Sequence, residues 1–221
     1  NDLTQGERTL MLVLTGITNF IYIPALYVIY KKELYFQFHI GLFTMITSFL
    51  YHSLESVGWK TLYLSIGNWH RLDNIGSIMC MAMFFIYLMD NLYAKSNGTY
   101  NSTHFSQTDL QLNLIFLFIT LTMQTSHPWD LKNTVVPIIL AGVLWALKMI
   151  FYRVGRYNRY YVIRGVVVLG FAFFCFAKGL DDRNDYLRIW HGMWHCSVGI
   201  ASFYLWQIVD KDREIKDTRV S

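Results

Sequence analysis

The chain has 221 residues, of which 54% are hydrophobic, 17% aromatic and only 15% charged, with a formal net charge of +4. Soluble domains carry about a quarter charged residues, so this composition excludes an ordinary soluble globular domain. The charges are confined to short islands between long apolar stretches, which is typical of a polytopic helical membrane protein. We therefore expect an integral membrane protein with no nucleic-acid partner.

Seven apolar segments follow one another along the chain, each close to the ~20 residues that one helical membrane span requires. They cover residues 9–30, 37–56, 73–93, 110–127, 133–153, 160–179 and 187–209. The links are short, so neighbouring segments should pack as antiparallel helices. We predict an all-α fold with one domain over residues 1–221, a seven-transmembrane-helix bundle. Because the chain begins with Asn1 and not with Met, we expect a processed chain or the C-terminal membrane part of a longer protein.

Basic residues predict the orientation of this bundle. If the spans alternate, three basic islands fall on one side, which the positive-inside rule assigns to the cytoplasm. The islands are Lys31 and Lys32; Arg153, Arg156, Arg159 and Arg164; and Lys211, Arg213 and Lys216. The N-terminus is then extracellular or lumenal and the C-terminus cytoplasmic, in the plasma membrane or an internal membrane. Two glycosylation sequons, at Asn97 and Asn101, fall in a loop that this orientation places in the cytoplasm, so we expect them to be unmodified.

Five polar residues lie in the outer halves of three segments. Ser48 and His52 lie in the run TSFLYHS of segment 2, and Asp73 opens segment 3. His191 and His195 lie in the run IWHGMWHC at the start of segment 7. Four residues advance a helix by roughly 400°, so each i, i+4 pair shares one face. Three helices thus bring these residues to one membrane face at similar depth.

The residue types indicate a metal site. Three neutral imidazoles bind Zn²⁺ well and leave one position for water, whose pKa the metal lowers to ~7. Asp73 is a candidate general base, or a hydrogen-bond acceptor that orients a histidine ligand. Ser48 is a candidate hydrogen-bond donor to the developing oxyanion. We favour a nucleophilic Ser48 less, because the sequence shows no base for it besides Asp73.

Each of these residues also has a simpler interpretation. A histidine pair in a membrane helix can make interhelical hydrogen bonds, and a membrane serine often bonds its own backbone. Asp73 alone would suit the positive end of a helix dipole. His70, three residues before Asp73, is an alternative ligand or substrate contact. Cys196, which follows His195, is a further but weaker candidate for contact with the site.

The pattern Ser48-Phe-Leu-Tyr-His52, Asp73 and His191-Gly-Met-Trp-His195 across seven spans resembles the CREST superfamily of membrane hydrolases. That superfamily includes alkaline ceramidases and the progestin and adipoQ receptors. Two longer stretches are similar to its transmembrane-protein-8 and myomaker branch. They read NFIYIPALYVIYKKELYFQFHIGLFTMITSFLYHSLES and HRLDNIGSIMCM.

This resemblance implies a Zn²⁺ ion held by His52, His191 and His195, with Ser48 and Asp73 completing a catalytic site. It implies a zinc-dependent hydrolase that cleaves a membrane lipid near the outer leaflet. The bond would be an amide, as in ceramidases, or an acyl ester, as in GPI-directed phospholipase A2 members.

The alternative is a non-enzymatic membrane-remodelling or cell-fusion factor, or a receptor, with a structural zinc site. The resemblance supports it too, because the myomaker side of the branch is associated with cell fusion. A channel or transporter is less favoured, because no segment carries a file of polar residues across the full membrane.

Overall fold

A computed structural model describes residues 3–93, 107–151, 157–181 and 183–209. Helices make up nearly all of this structure, which confirms the all-α prediction. In chain order they are α1 Gln5–Met11, α2 Ile23–Lys31, α3 Tyr35–Val57, α4 Ile66–Tyr93, α5 Gln107–Ser126, α6 Leu131–Phe151, α7 Arg159–Gly179 and α8 Ile189–Leu205. Two short strands, β1 Thr61–Leu62 and β2 Leu64–Ser65, form a small antiparallel hairpin between α3 and α4. Both sequons and the basic residues Arg153, Arg156, Lys211, Arg213 and Lys216 lie outside the described residues.

The first apolar segment is one continuous but irregular helix. A π-helical turn at Leu12–Gly16 and a 3₁₀ stretch at Ile17–Tyr22 join α1 to α2. Within it the Thr15 hydroxyl donates to the Met11 carbonyl at 2.9 Å, and the Asn19 amide donates to the Thr15 carbonyl at 2.6 Å. These side chains thus satisfy their own polar groups on the backbone of the same segment, which an apolar environment requires.

Within the described parts of the chain, four helices are long and apolar enough to cross a membrane. They are Gln5–Lys31, Ile66–Met89, Leu131–Phe151 and Arg159–Gly179. Large apolar side chains on α6 and α7 point outward, among them Ile150, Ile163 and Val167. An apolar surface this extensive indicates a protein integrated into a membrane. By length and composition the described residues thus contain four candidate spans, where the sequence predicts seven.

Helix α5 has buried polar residues on its inner side. Asn113, Thr120 and Gln124 are fully buried, whereas Phe118 is 67% exposed. The Gln124 side chain accepts a hydrogen bond from the Asn74 amide at 3.3 Å and donates to the backbone carbonyl of Asn133 at 3.1 Å. These bonds tie α5 to α4 and to the first turn of α6. These buried polar residues also lower the mean hydropathy of α5 without facing outward themselves.

Close helix contacts bring α3, α4, α8 and the first segment together around the candidate site. A Cβ added at Gly76 of α4 would lie 3.0 Å from the Cα atom of Thr44 in α3. On α8, a Cβ added at Gly199 would lie 3.2 Å from the backbone of Ile21. Glycine at these positions lets the backbones approach closely, as is common between membrane helices.

Candidate metal centre

Three histidines from two helices meet in the interior of the bundle. The Nε2 atoms of His52 in α3 and His191 in α8 are 3.2 Å apart. One ring nitrogen from each of His52, His191 and His195 lies within 4.8 Å of the others. His52 and His195 are only 2% and 8% exposed. The structure thus brings together the three histidines that the sequence analysis selected as metal ligands.

The local structure of α8 explains how two of these histidines reach the site. His191 and His195 are one helical turn apart, so they share a face. Both carboxylate oxygens of Asp185 accept hydrogen bonds from the start of α8, from the N–H of Trp190 at 3.0 Å and from that of His191 at 3.1 Å. Asp185 is itself buried, with 3% exposure. It therefore holds the first turn of α8 and fixes the backbone of His191.

The geometry of the His52–His191 pair fits a metal ion. Two ligands bound at about 2.0–2.1 Å by a tetrahedral zinc ion lie about 3.3–3.4 Å apart, close to the 3.2 Å between the Nε2 atoms of His52 and His191. Two unprotonated imidazole nitrogens repel at this distance unless a proton or a cation lies between them. The buried Nδ1 atom of His195 has no hydrogen-bond partner among the described residues. The Thr15 carbonyl faces the ring without meeting hydrogen-bond geometry.

Asp73 and Ser48 lie beside the histidines. Asp73 Oδ2 is 3.9 Å from His52 Nε2, and the carboxylate faces the hydroxyl groups of Ser48 and Ser77. Asp73 and Ser48 are both buried. All five site residues selected from the sequence therefore occupy one site. Ser77, which the sequence analysis did not select, is one turn beyond Asp73 on the same helix.

The expectation that Asp73 begins a helix is wrong. Helix α4 begins at Ile66, so Asp73 lies two turns inside it. The polar residues before Asp73 suggested a later start, but the Trp69 indole donates to the Leu62 carbonyl at 2.9 Å and packs this first turn against the hairpin. A charge this far from the helix end gains little from the helix dipole. The dipole therefore does not explain a carboxyl group at this position.

Two charged residues at the site were missed by the sequence analysis. Glu55 Oε2 lies 3.2 Å from His52 Nδ1, and Arg188 Nη2 donates to Glu55 Oε1 at 2.9 Å. Glu55 follows His52 by three residues, so helical spacing would have placed it on the same face. Arg188 gave no such signal, because it reaches the site from the loop before α8 with a left-handed φ of 58°.

The two weaker candidates lie outside the cluster. His70 stacks on Trp129 with ring centroids 3.6 Å apart and contacts the edge of Tyr51. The same Tyr51 ring also packs on His52, with centroids 4.5 Å apart. Neither His70 nor Cys196 belongs to the group of converging ligand atoms found within the described parts of the chain.

A family model described as "Protein of unknown function (DUF3522)" matches residues 7–196. The chain belongs to this family. The matched region includes all three histidines of the cluster and Ser48, Glu55, Asp73 and Arg188. No curated protein matches the chain. The family's description assigns no activity, so an argument about function must start from the site itself.

Proposed function

We propose that this protein is a zinc-dependent intramembrane hydrolase that cleaves an amide or acyl ester bond of a membrane lipid near the outer leaflet. One observation carries the proposal: His52, His191 and His195 converge beside Asp73 in the interior of a membrane-embedded helical bundle. The resemblance to the CREST superfamily, and to its transmembrane-protein-8 and myomaker branch, supports the same assignment.

We infer that α3, α5 and α8 also cross the membrane, which gives seven spans. Helix α3 has 23 residues, and α5, with 20 residues, buries Asn113, Thr120 and Gln124. Interior polar residues lower the mean hydropathy of a helix without exposing polar groups to lipid. With the N-terminus outside, α3 runs outward, and His52 lies in its outer half. The cluster then lies at the depth of the outer leaflet's acyl carbonyl groups.

Zinc is the metal that suits these ligands best. Three imidazoles with an open fourth position form a common catalytic zinc site, and no thiolate belongs to the cluster within the described residues. When bound, zinc supplies a Lewis acid for the lipid carbonyl and lowers the pKa of a nearby water to ~7.

The surrounding side chains have distinct roles in hydrolysis. Asp73 accepts a proton from the attacking water, whose oxygen bonds to the carbonyl carbon. The Ser48 hydroxyl donates a hydrogen bond to the carbonyl oxygen while negative charge develops there. When the C–N or C–O bond breaks, Asp73 returns the proton to the leaving nitrogen or oxygen. The products are a fatty acid and an amine or alcohol.

Metal analysis and lipid analysis together test this proposal. Purified wild-type protein should contain about one zinc ion per chain, and His195→Ala should lose it. Cells that express wild type should accumulate a cleaved lipid that His195→Ala cells lack. Asp73→Asn should keep its zinc but lose on the order of 10²–10⁴-fold in turnover, the usual contribution of a general base. Full turnover in either variant would contradict the proposal.

A second candidate function has its own supporting observation. The histidine cluster connects α3 to α8, so a bound metal would cross-link two helices without any reaction. A fusion factor or receptor with such a structural site would keep its cellular function in Asp73→Asn and lose it in His52→Ala. The same two variants therefore separate the two functions.

A further inference from the structure

We propose that Glu55 and Arg188 form a positioning pair that holds His52 in the tautomer and orientation required for metal binding. The proposal rests on the metal site of the proposed function, but not on hydrolysis. Its basis is a chain of two contacts, from Arg188 Nη2 to Glu55 Oε1 at 2.9 Å and from Glu55 Oε2 to His52 Nδ1 at 3.2 Å.

Hydrogen-bonding capacity fixes the direction of this chain. A guanidinium group only donates, and an ionised carboxylate only accepts. Glu55 therefore accepts from Arg188 with one oxygen and from His52 with the other, which requires the proton of neutral His52 on Nδ1. The Nε2 atom of His52 is then unprotonated, and it faces His191 and Asp73.

The opposite tautomer would prevent metal binding. A proton on Nε2 would point into the 3.2 Å gap between His52 and His191, where the metal must bind. Imidazole ligands commonly donate their second N–H to a carboxylate, which orients the ring and makes the ligand nitrogen more basic. Glu55 is the group in contact with His52 Nδ1 that meets this description.

Arg188 reaches Glu55 from the loop that precedes α8. Arg188 adopts a left-handed backbone conformation at the start of α8, which is unfavourable for a residue with a Cβ. The side chains of Glu55 and Arg188 are 20% and 21% exposed, so water only partly screens their ion pair. The loop before α8 therefore makes two contacts. Asp185 bonds the first turn of α8, and Arg188 bonds Glu55, which contacts the Nδ1 side of His52.

The pair also links α3 to α8, so a purely structural role must be separated from a positioning role. Glu55→Gln is nearly isosteric, but the amide has one oxygen and one NH₂ group. If its oxygen accepts from Arg188, its NH₂ group faces Nδ1 and favours the tautomer with the proton on Nε2. Glu55→Asp keeps the carboxylate and should preserve part of the zinc affinity.

A matched control lies at the same end of α3. Arg8 Nη1 donates to the Val57 carbonyl at 2.9 Å and so ties α1 to α3 just past Glu55. Arg8→Gln removes an interhelical contact near the site without touching His52. A variant that acts only through helix packing should behave like this control.

The experiment measures metal binding by the purified full chain without any substrate. Competition with a chelator should show zinc affinity about 10–100-fold weaker in Glu55→Gln, with partial recovery in Glu55→Asp and wild-type affinity in Arg8→Gln. Cobalt(II) in place of zinc should give a shifted visible absorption spectrum in Glu55→Gln only. ¹⁵N NMR of the metal-free protein should show His52 protonated on Nδ1 in wild type and on Nε2 in Glu55→Gln.

Equal zinc affinity and equal cobalt spectra in wild type and Glu55→Gln would overturn the proposal. If Glu55→Gln does not fold, Glu55→Asp and Arg188→Lys take its place, and wild-type affinity in both would overturn it. A wild type that binds no divalent metal would overturn it as well. A wild type that binds zinc but cleaves no lipid would overturn the hydrolase alone.

Discussion

Gly192 of α8 lies directly against the backbone carbonyl of Leu14, in the π-helical turn of the first segment. A Cβ at position 192 would overlap the carbonyl oxygen and lie 3.0 Å from the carbonyl carbon. Because Gly192 immediately follows His191 and lies one turn from His195, this contact sets the distance between the first segment and the histidine cluster.

Gly192→Ala should therefore destabilise the protein and weaken the site. The new Cβ would meet the backbone carbonyl of Leu14, which cannot rotate away as a side chain could. We therefore expect a loss of about 1–3 kcal/mol in the free energy of unfolding. Zinc affinity should fall in the same variant, because α8 must shift. Gly170→Ala is the control, since a Cβ at position 170 of α7 meets nothing within 4 Å. Equal thermal stability and zinc affinity in the two variants would contradict this account of the contact.

Asp185→Ala should weaken the first turn of α8. It removes the acceptor of two backbone N–H groups, at Trp190 and His191, and loss of such a cap costs about 0.5–2 kcal/mol. Thermal denaturation in detergent measures the loss. Asp181→Ala provides the comparison, because the hydrogen bonds that the Asp181 carboxylate accepts from described residues all lie within an exposed turn. If Asp181→Ala were the more damaging change, Asp185 would not be the residue that fixes His191.

Removal of metal should lower the thermal stability of wild type. A ligand present at 100 times its Kd stabilises the state that binds it by about 2.7 kcal/mol. Zinc added to chelator-treated wild type should therefore raise the melting temperature, whereas His195→Ala should show no rise. An equal rise in both proteins would mean that the stabilising zinc binds somewhere else.

The helices were largely predictable because apolar runs mark them directly. The predicted segments 37–56 and 160–179 correspond to α3, Tyr35–Val57, and α7, Arg159–Gly179. The prediction failed where local polarity misled it, at the start of α4, and where the backbone departs from α-helix, at Leu12–Gly16. Leu14 in this turn lies against Gly192 of α8, a contact that composition does not record.

The core of the site was predictable for a related reason. Helical spacing places His191 beside His195, and both belong to one short sequence pattern. Arg188 could not be found in this way, because its contact with Glu55 joins residues 133 positions apart. Its backbone conformation is also one that sequence rarely indicates for arginine. Long-range side-chain contacts of this kind become visible only in the fold.

The proposed orientation makes a prediction that needs no purified protein. With the N-terminus outside, the β1–β2 hairpin faces the extracellular or lumenal side, and Tyr63 at its tip is 99% exposed. Tyr63→Asn creates a glycosylation sequon with Leu64 and Ser65, so it should be glycosylated in cells and show an enzyme-sensitive mobility shift. The sequons at Asn97 and Asn101 should stay unmodified in the same protein. A glycan at either of these two positions, with none at position 63, would reverse the orientation and place the histidine cluster near the cytoplasmic leaflet.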